Sequence, residues 1–294
     1  MAEVAVIIPA YNRSSSIMRS IDSALAQTFT DIEIIVVDDA STDDTVAVVS
    51  AVPDQRVLLV LREENGGASA ARNTGIAAAT ADYVAFLDSD DEWTSDKLAI
   101  QLPALKASEP RCLVSCTGVM LHLLDRGIDM EFRLDDSTDW IARMASGCDQ
   151  RPGSTLLARR DVFTTVGDLD TSLARFEDWD WLLRYVRKGH DVHTLPQPLA
   201  HIHNVRGRVG PQTEKSADAF LQKHAGFYAS LPSKQRRKAL CDLWLQIAAT
   251  FALEGRPRDA ARMAARAILQ RPAHAVVRLA SYAREYASLK LKRS

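Results

Sequence analysis

The stretch VAFLDSDDEW, Val84 to Trp93, opens with four apolar residues and then sets Asp88, Asp90, Asp91 and Glu92 within five positions. It reads as a buried strand whose end opens on a charged rim. Upstream, EVAVIIPAYN is a β-branched run closed by Pro9 and Asn12. DIEIIVVDDAS is a second run, ending on Asp38 and Asp39, and RVLLVLR is a third. Helical patterns separate the runs. Ile17, Ile21, Ala24 and Leu25 recur at helical spacing across residues 14–27, and TDDTVAVVSAV is expected to form a helix capped by Ser41 or Thr42. NGGASAARNTGIAAA is a glycine loop running into an Ala-rich helix, and DSDDEWTSDKL is expected to enter a helix that Glu92 starts. Apolar strands alternating with helices predict an α/β fold with a mostly parallel sheet flanked by helices.

Ligands of such sheets bind beyond the carboxyl ends of the strands. There the first strand delivers Pro9-Ala10-Tyr11-Asn12, the second Asp38-Asp39, and the fourth Asp88-Ser89-Asp90. Gathered carboxylates repel one another, and a hard divalent cation relieves that repulsion. An Asp-x-Asp at a strand end therefore suggests a metal–diphosphate site. Taken alone, a solvated acidic turn explains it equally well.

Composition narrows the classes. The 294 residues are 47% hydrophobic and 25% charged, ordinary for a globular protein. No apolar run approaches the roughly 20 residues of a membrane helix. The N-terminal MAEVAVIIPAYN carries no basic flank, so no secretion signal is expected. Cys112, Cys116, Cys148 and Cys241 are irregularly spaced and read as free thiols of a reducing cytoplasm. The net charge of −2 conceals an asymmetry: residues 1–214 hold 20 Lys+Arg against 33 Asp+Glu, and residues 215–294 hold 16 against 5. We place a domain boundary at that break.

The order and spacing of VAVIIPAYNRSSSIMRSIDSALAQTF, DIEIIVVDDASTDDT, ENGGASAARNTGIAAATADYVAFLDSDD and GSTLLARRDVFTTVGDLDTSLARFEDWDWLLRYVRKG resemble the inverting nucleotide-sugar glycosyltransferases of family 2, which have the GT-A fold. The resemblance covers about residues 3–205, roughly two thirds of the chain. It implies a Rossmann-like GT-A domain over residues 1–214 and a nucleotide diphosphate sugar donor, with UDP expected. It also implies a divalent metal, Mn²⁺ or Mg²⁺.

The same likeness implies residue roles. Pro9, Tyr11 and Asn12 would lie under the nucleotide, with Tyr11 on the base. Asp39 would accept a hydrogen bond from the base, while Asp38 braces the loop. The family often has Gly where this chain has Ala40. Arg72 would reach toward the nucleotide; the alternative is that it pairs with the strand-end acids and holds the loop. Asp88, with Ser89 beside it, falls on the ribose side and Asp90 on the metal, and Asp91 would support either. In ARFEDWDW, Asp178 matches the general base that takes the acceptor hydroxyl's proton, with Glu177 beside it as support or next candidate. Acids merely decorating a helix start are the alternative there. GDLDTSL departs from the usual Gly-Phe-Asp wording: Asp170 keeps the acid and Leu169 replaces the aromatic. HIHNVRGRVG offers His201, His203, Arg206 and Arg208. His203 matches the residue that similar enzymes place on diphosphate or metal, against the alternative of a satisfied loop histidine. Gly207 and Gly210 would suit a loop that orders with donor.

Residues 215–294 are expected to be a basic α-helical extension. LWLQIAATFALEGRPRDAARMAARAILQRPAHA resembles one tetratricopeptide-type hairpin. Its charge suits a solvated face, a dimer contact, or an anionic leaflet carrying a lipid-linked acceptor. Nucleic acid is not expected, because aromatic interleaving and a binding motif are missing. The expected setting is surface polysaccharide assembly in the cytoplasm or at the inner membrane face. Without the Gln-x-x-Arg-Trp motif of processive synthases, single addition is expected. A receiver domain would put its acidic pair after the first strand, and a nucleotidyltransferase would show a Lys-containing Gly-rich loop there. A non-catalytic sugar- or nucleotide-binding module on the same fold is the remaining alternative.

Overall fold

The computed structural model describes residues 2–125, 127–135, 137, 139–204 and 212–291. The chain divides into two compact units: Met1–Thr138 with Asp149–Asn204, and Asp139–Cys148 with Val205–Ser294.

In chain order the first unit contains β1 (Val4–Ala10), α1 (Ile17–Leu25), β2 (Ile32–Asp38), α2 (Thr45–Ser50), β3 (Val57–Leu61), α3 (Gly67–Ala78), β4 (Tyr83–Phe86), β5 (Glu92–Trp93), α4 (Lys97–Ala107), β6 (Cys112–Leu123) and β7 (Ile128–Phe132). The helix α5 (Trp140–Ser146) belongs to the second unit. The first resumes with α6 (Pro152–Thr155), β8 (Leu157–Arg159), α7 (Asp161–Val166), α8 (Glu177–Arg187) and β9 (Asp191–Asn204). One sheet runs β3-β2-β1-β4-β8-β6-β9-β5, with β7 on β6. β3, β2, β1 and β4 are parallel, β8 is antiparallel to both β4 and β6, and β6 and β9 run parallel.

β1 is buried along its whole length, as a central strand covered on both faces must be. Each fully buried Val or Ile contributes about 1.5–3 kcal/mol, so Val4, Val6, Ile7 and Ile8 anchor the sheet. α1 lays Ile17, Ile21 and Ala24 on that core, the spacing its sequence shows. α3 packs close, because Gly75 leaves room for the Ile7 side chain, which a Cβ would meet at 2.5 Å.

Two local expectations are corrected. Ser41 and Thr42 do not cap α2. The Ser41 hydroxyl accepts from Asn12 N–H and Thr42 N–H donates to Asn12 Oδ1, so both are locked against the first loop. The helix begins at Thr45, whose N–H donates to Asp43. Glu92 does not start a helix either. Glu92 and Trp93 pair antiparallel with His201 and Ala200 of β9, and the helix waits until Lys97. The long neighbouring strand and the buried Trp93 indole, which donates to Ser154 O at 2.7 Å, override the acidic helix-start pattern.

The second unit adds α9 (Gln212–Lys223), α10 (Ala225–Ser230), α11 (Ser233–Leu253), α12 (Pro257–Gln270) and α13 (Pro272–Leu291) to α5. α11 and α12 form a hairpin that turns at Gly255, φ +72°, with Pro257 opening α12. Tyr228 and Gln246 fix α5 and its following loop through Ala145 O and Cys148 O. Among the described residues no helix is long and apolar enough to cross a membrane.

Candidate active site

The ends of β1, β2 and β4 meet at one rim, as the sequence predicts, held together by backbone bonds from Asp39 N to Ala10 O and from Leu87 N to Ile7 O. Past Pro9, Tyr11 is 43% exposed and Asn12 takes a left-handed φ of +53°. Ala40 is left-handed too, at +61°. That conformation costs a side-chain-bearing residue about 1 kcal/mol, which gives a physical reason for the family's frequent Gly there.

The acidic pair after β2 divides its labour. Asp39 is buried and accepts from Arg62 Nε at 2.7 Å, Gly66 N–H at 3.0 Å and Gly67 N–H at 2.7 Å. Its lone pairs are committed to the glycine loop, and Gly67 meets it with φ +80°. Asp38 Oδ2 accepts from Ser41 N–H, while Asp38 Oδ1 is buried with no partner among the described residues. The acceptor left open is therefore on Asp38, the residue expected only to brace the loop.

Arg72 lies at the centre. Its side chain is 4% exposed, and its guanidinium forks between Asp88 Oδ1 at 2.6 Å and Glu177 Oε1 at 2.8 Å. Burial works against its charge, but Asp88, Glu177 and Asp178 more than offset this and hold it cationic. So the pairing set out as the alternative for Arg72 is the one this geometry contains. Gly153 makes it sterically feasible: a Cβ there would sit 2.6 Å from Asp88 Oδ2 and 3.1 Å from Arg72 Nη2.

α8 begins at Glu177 directly after Phe176, which is left-handed at φ +68°. Three acids fill its first turn, where the helix dipole favours them. The turn is located by α3: Asn73 exchanges two hydrogen bonds with the Leu169 backbone, and Ser69 donates to Asp170 O. Leu169 is thereby buried in the loop where the family commonly has an aromatic. Burial, and then the adjacent Glu177 carboxylate, push Asp178 up to about 7, with Arg72 opposing the shift.

Beyond β4, Ser89 is buried and its carbonyl accepts from Ser16 Oγ. The Asp90 carboxylate stands 3.8 Å from Arg13 Nε, and Arg19 donates to Asp90 O. Asp91 is a buried brace, accepting from Ser154 Oγ at 2.5 Å and His203 N–H at 3.0 Å. Desolvation raises its pKa well above the usual carboxylate range, and Asp88 and Asp90 add to the shift. His203 Nε2 lies 2.9 Å from Glu92, and His203 Nδ1 is buried with no partner among the described residues. In the neutral ring a proton on Nε2 shared with Glu92 leaves a lone pair on Nδ1; burial lowers the ring's pKa, with Glu92 opposing the shift. His201 instead joins His122 at 2.9 Å, whose other nitrogen meets Asp129 at 2.7 Å. Arg206, Arg208, Gly207 and Gly210 lie outside the described residues.

For a divalent cation the rim offers few protein ligands. Among the described residues no three His, Cys, Asp or Glu side chains converge as a metal cage. A cation that keeps waters and substrate phosphates needs only one or two protein oxygens. Asp90, the repelling carboxylates around it and the lone pair of His203 fit that substrate-completed kind of site.

The comparisons agree with this geometry. Residues 5–121 match the family model described as Glycosyl transferase family 2. The amylovoran biosynthesis glycosyltransferase AmsB of Erwinia amylovora is 31% identical over 218 residues, 70% of this chain and 71% of that protein. The chain belongs to glycosyl transferase family 2. A second relative of the family is the Escherichia coli UDP-Glc:alpha-D-GlcNAc-diphosphoundecaprenol beta-1,3-glucosyltransferase WfaP. It is 42% identical over 102 residues, 35% of this chain but only 41% of WfaP's length. Among solved structures, the Pyrobaculum calidifontis mannosyltransferase PcManGT in complex with GDP-Man and Mn²⁺ superposes with a TM-score of 0.59 at 20% identity, covering 98% of this chain and 82% of that one. The fold is GT-A, a curled, mostly parallel sheet with a helical C-terminal part.

Proposed function

We propose that this family 2 member is a metal-dependent, inverting glycosyltransferase. It moves a sugar from a nucleotide diphosphate sugar, a UDP-sugar on our reading, to a hydroxyl of a glycan or lipid-linked acceptor during surface polysaccharide assembly. The supporting observation is the buried Arg72 fork, which ties the donor-side acid Asp88 to the base helix through Glu177. It brings donor rim and base into one electrostatic unit.

Within that unit Tyr11 offers an exposed ring for a base, and the Asp38–Asp39 pair offers a carboxylate oxygen at Asp38 for an imide N–H. Asp178, held near 7, is matched to taking a hydroxyl proton at neutral pH. Glu177 keeps Arg72 in place, and Asp91 fixes the β4 and β9 ends through Ser154 and His203. Asp90, with His203 Nδ1 as second donor, would hold the cation, which when bound would offset charge on a departing diphosphate. The relative WfaP is named for a UDP-glucose donor and a diphosphoundecaprenol acceptor, which favours UDP and a lipid-linked acceptor here. We assign the donor and transfer chemistry to residues 1–214, at the cytoplasmic membrane face.

The test is the product's anomeric configuration. Incubation with α-linked UDP-sugars and a polyprenyl diphosphate-linked acceptor sugar is expected to release UDP and give a β-linked product, read by NMR. An α-linked product would overturn the single-displacement mechanism.

A further inference from the structure

Isolated exposed apolar side chains are ordinary on a protein surface; clustered ones are not. Eight large apolar residues stand exposed among the described residues, and four of them, Ile268, Leu269, Val276 and Val277, fall within ten positions of sequence. These occupy the end of α12 and the start of α13, on either side of the turn at Arg271. Leu269 is 79%, Val276 59% and Val277 65% exposed. The helices already have a buried face, made by Met263 and Ala267 of α12 and Ala275 of α13, all at 0% exposure. The exposed four are thus surplus to the packing of the hairpin.

Charge around this tip is mostly basic; Asp242 is the acid beside it, paired with Lys238 and with His274 of α13. Residues 260–284 contain five arginines and no Asp or Glu, and residues 233–291 carry twelve Lys+Arg against four Asp+Glu. The basic run Lys234, Arg236, Arg237 and Lys238 at the start of α11 is brought to the same turn, because Arg237 Nε donates to Gln270 O at 2.7 Å. Of those five arginines, Arg262 and Arg266 are paired, both with Glu214 and Arg266 also with Asp218. An apolar tip within a basic collar is complementary to a surface that is anionic outside and apolar beneath.

We propose that the α12–α13 tip is a membrane-docking surface, with Leu269, Val276 and Val277 entering the headgroup–acyl boundary of an anionic leaflet and the surrounding Arg and Lys side chains meeting its phosphates. This deepens, and rests on, the reading that the acceptor is lipid-linked: docking places the transferase where such an acceptor lies. A second copy of the chain is the competing occupant. It would have to bring this net positive surface against itself, which like charge opposes.

The experiment is sedimentation of the full chain with phosphatidylcholine vesicles, with and without phosphatidylglycerol, at low and high salt. No donor or acceptor is present, so a failure to bind is distinct from a failure of sugar transfer. The expected result is binding to the anionic vesicles at least about tenfold tighter than to neutral ones, weakening with salt. The double variant Leu269→Glu, Val277→Glu is expected to lose that binding by about tenfold or more. Both side chains are exposed, so it folds, as circular dichroism would verify. Arg271→Gln with Arg278→Gln, leaving the apolar tip intact, is expected to weaken anionic binding without abolishing it. Failure of the folded wild type to bind, or undiminished binding by the Glu variant, would overturn the proposal. So would concentration-dependent dimerisation in ultracentrifugation that the Glu variant abolishes while neither protein binds vesicles.

Discussion

Asp178→Asn lowers the rate of sugar transfer by about a thousandfold while leaving UDP binding within about twofold of wild type. The amide occupies the same space but cannot accept the acceptor's proton, and the donor rim acids are untouched. The wild-type rate rises with pH through about 7, because only the ionised Asp178 works as a base and burial holds its pKa there. Stability moves the opposite way. The group titrates at 3.8 in its ordinary state and about 7 in the folded protein. Between those values the folded chain binds a proton that the unfolded chain has released, so stability falls as pH rises through that window. Asp178→Asn should therefore melt higher than wild type above pH 7 and match it near pH 4. Steady-state kinetics with thermal unfolding across this range checks both limbs. A variant with wild-type turnover would remove Asp178 from the chemistry.

Arg72→Met destabilises the first unit by about 3 kcal/mol, the low end for breaking a buried charge pair. The low end applies because the Asp88 side chain is 38% exposed and can recover some hydration. Without the guanidinium, Asp88 and Glu177 lose their shared cation and Asp178 loses the group that opposes its upward shift. The rising limb of the pH–rate profile should therefore move to higher pH. Arg72→Lys should not restore either property, because one ammonium cannot reproduce a planar fork spanning two carboxylates on different elements. Urea unfolding and the pH–rate profile of both variants provide the check. Stability within about 0.5 kcal/mol of wild type for Arg72→Met would contradict the coupled-site account.

Those two residues also show how far the sequence could be read. Strands β1, β2 and β4 are legible as continuous apolar runs because both faces of the sheet are covered there and each run stops where its polar rim begins, while β3 is an equally apolar run left half exposed at the sheet edge. The rim itself was visible as three strand ends sharing a direction. What is carried by long-range pairing was not. Glu92 looked like a helix start because its local pattern is acidic, and only β9, over a hundred residues later, makes it a strand that meets His203. Asp38 and Asp39 are chemically identical neighbours. Their roles separate only through Arg62, Gly66 and Gly67, which fold back onto one of them. The dual pairing of Arg72 depends on Gly153, a small residue whose signal is spatial: it lets α6 approach Asp88. Lys97, fully buried over the Trp93 ring at 4.1 Å and bonded to Gln101 at 2.6 Å, is a core residue that no polarity pattern would place inside.

The most direct test of a metal-assisted nucleotide site is calorimetric titration of UDP into the purified chain, with Mn²⁺ and with a chelator, for wild type and Asp90→Ala. The account predicts wild-type binding that requires the metal and falls at least about tenfold in Asp90→Ala. Absence of binding by any nucleoside diphosphate to the folded protein, or metal-dependent binding unchanged in Asp90→Ala, would contradict it.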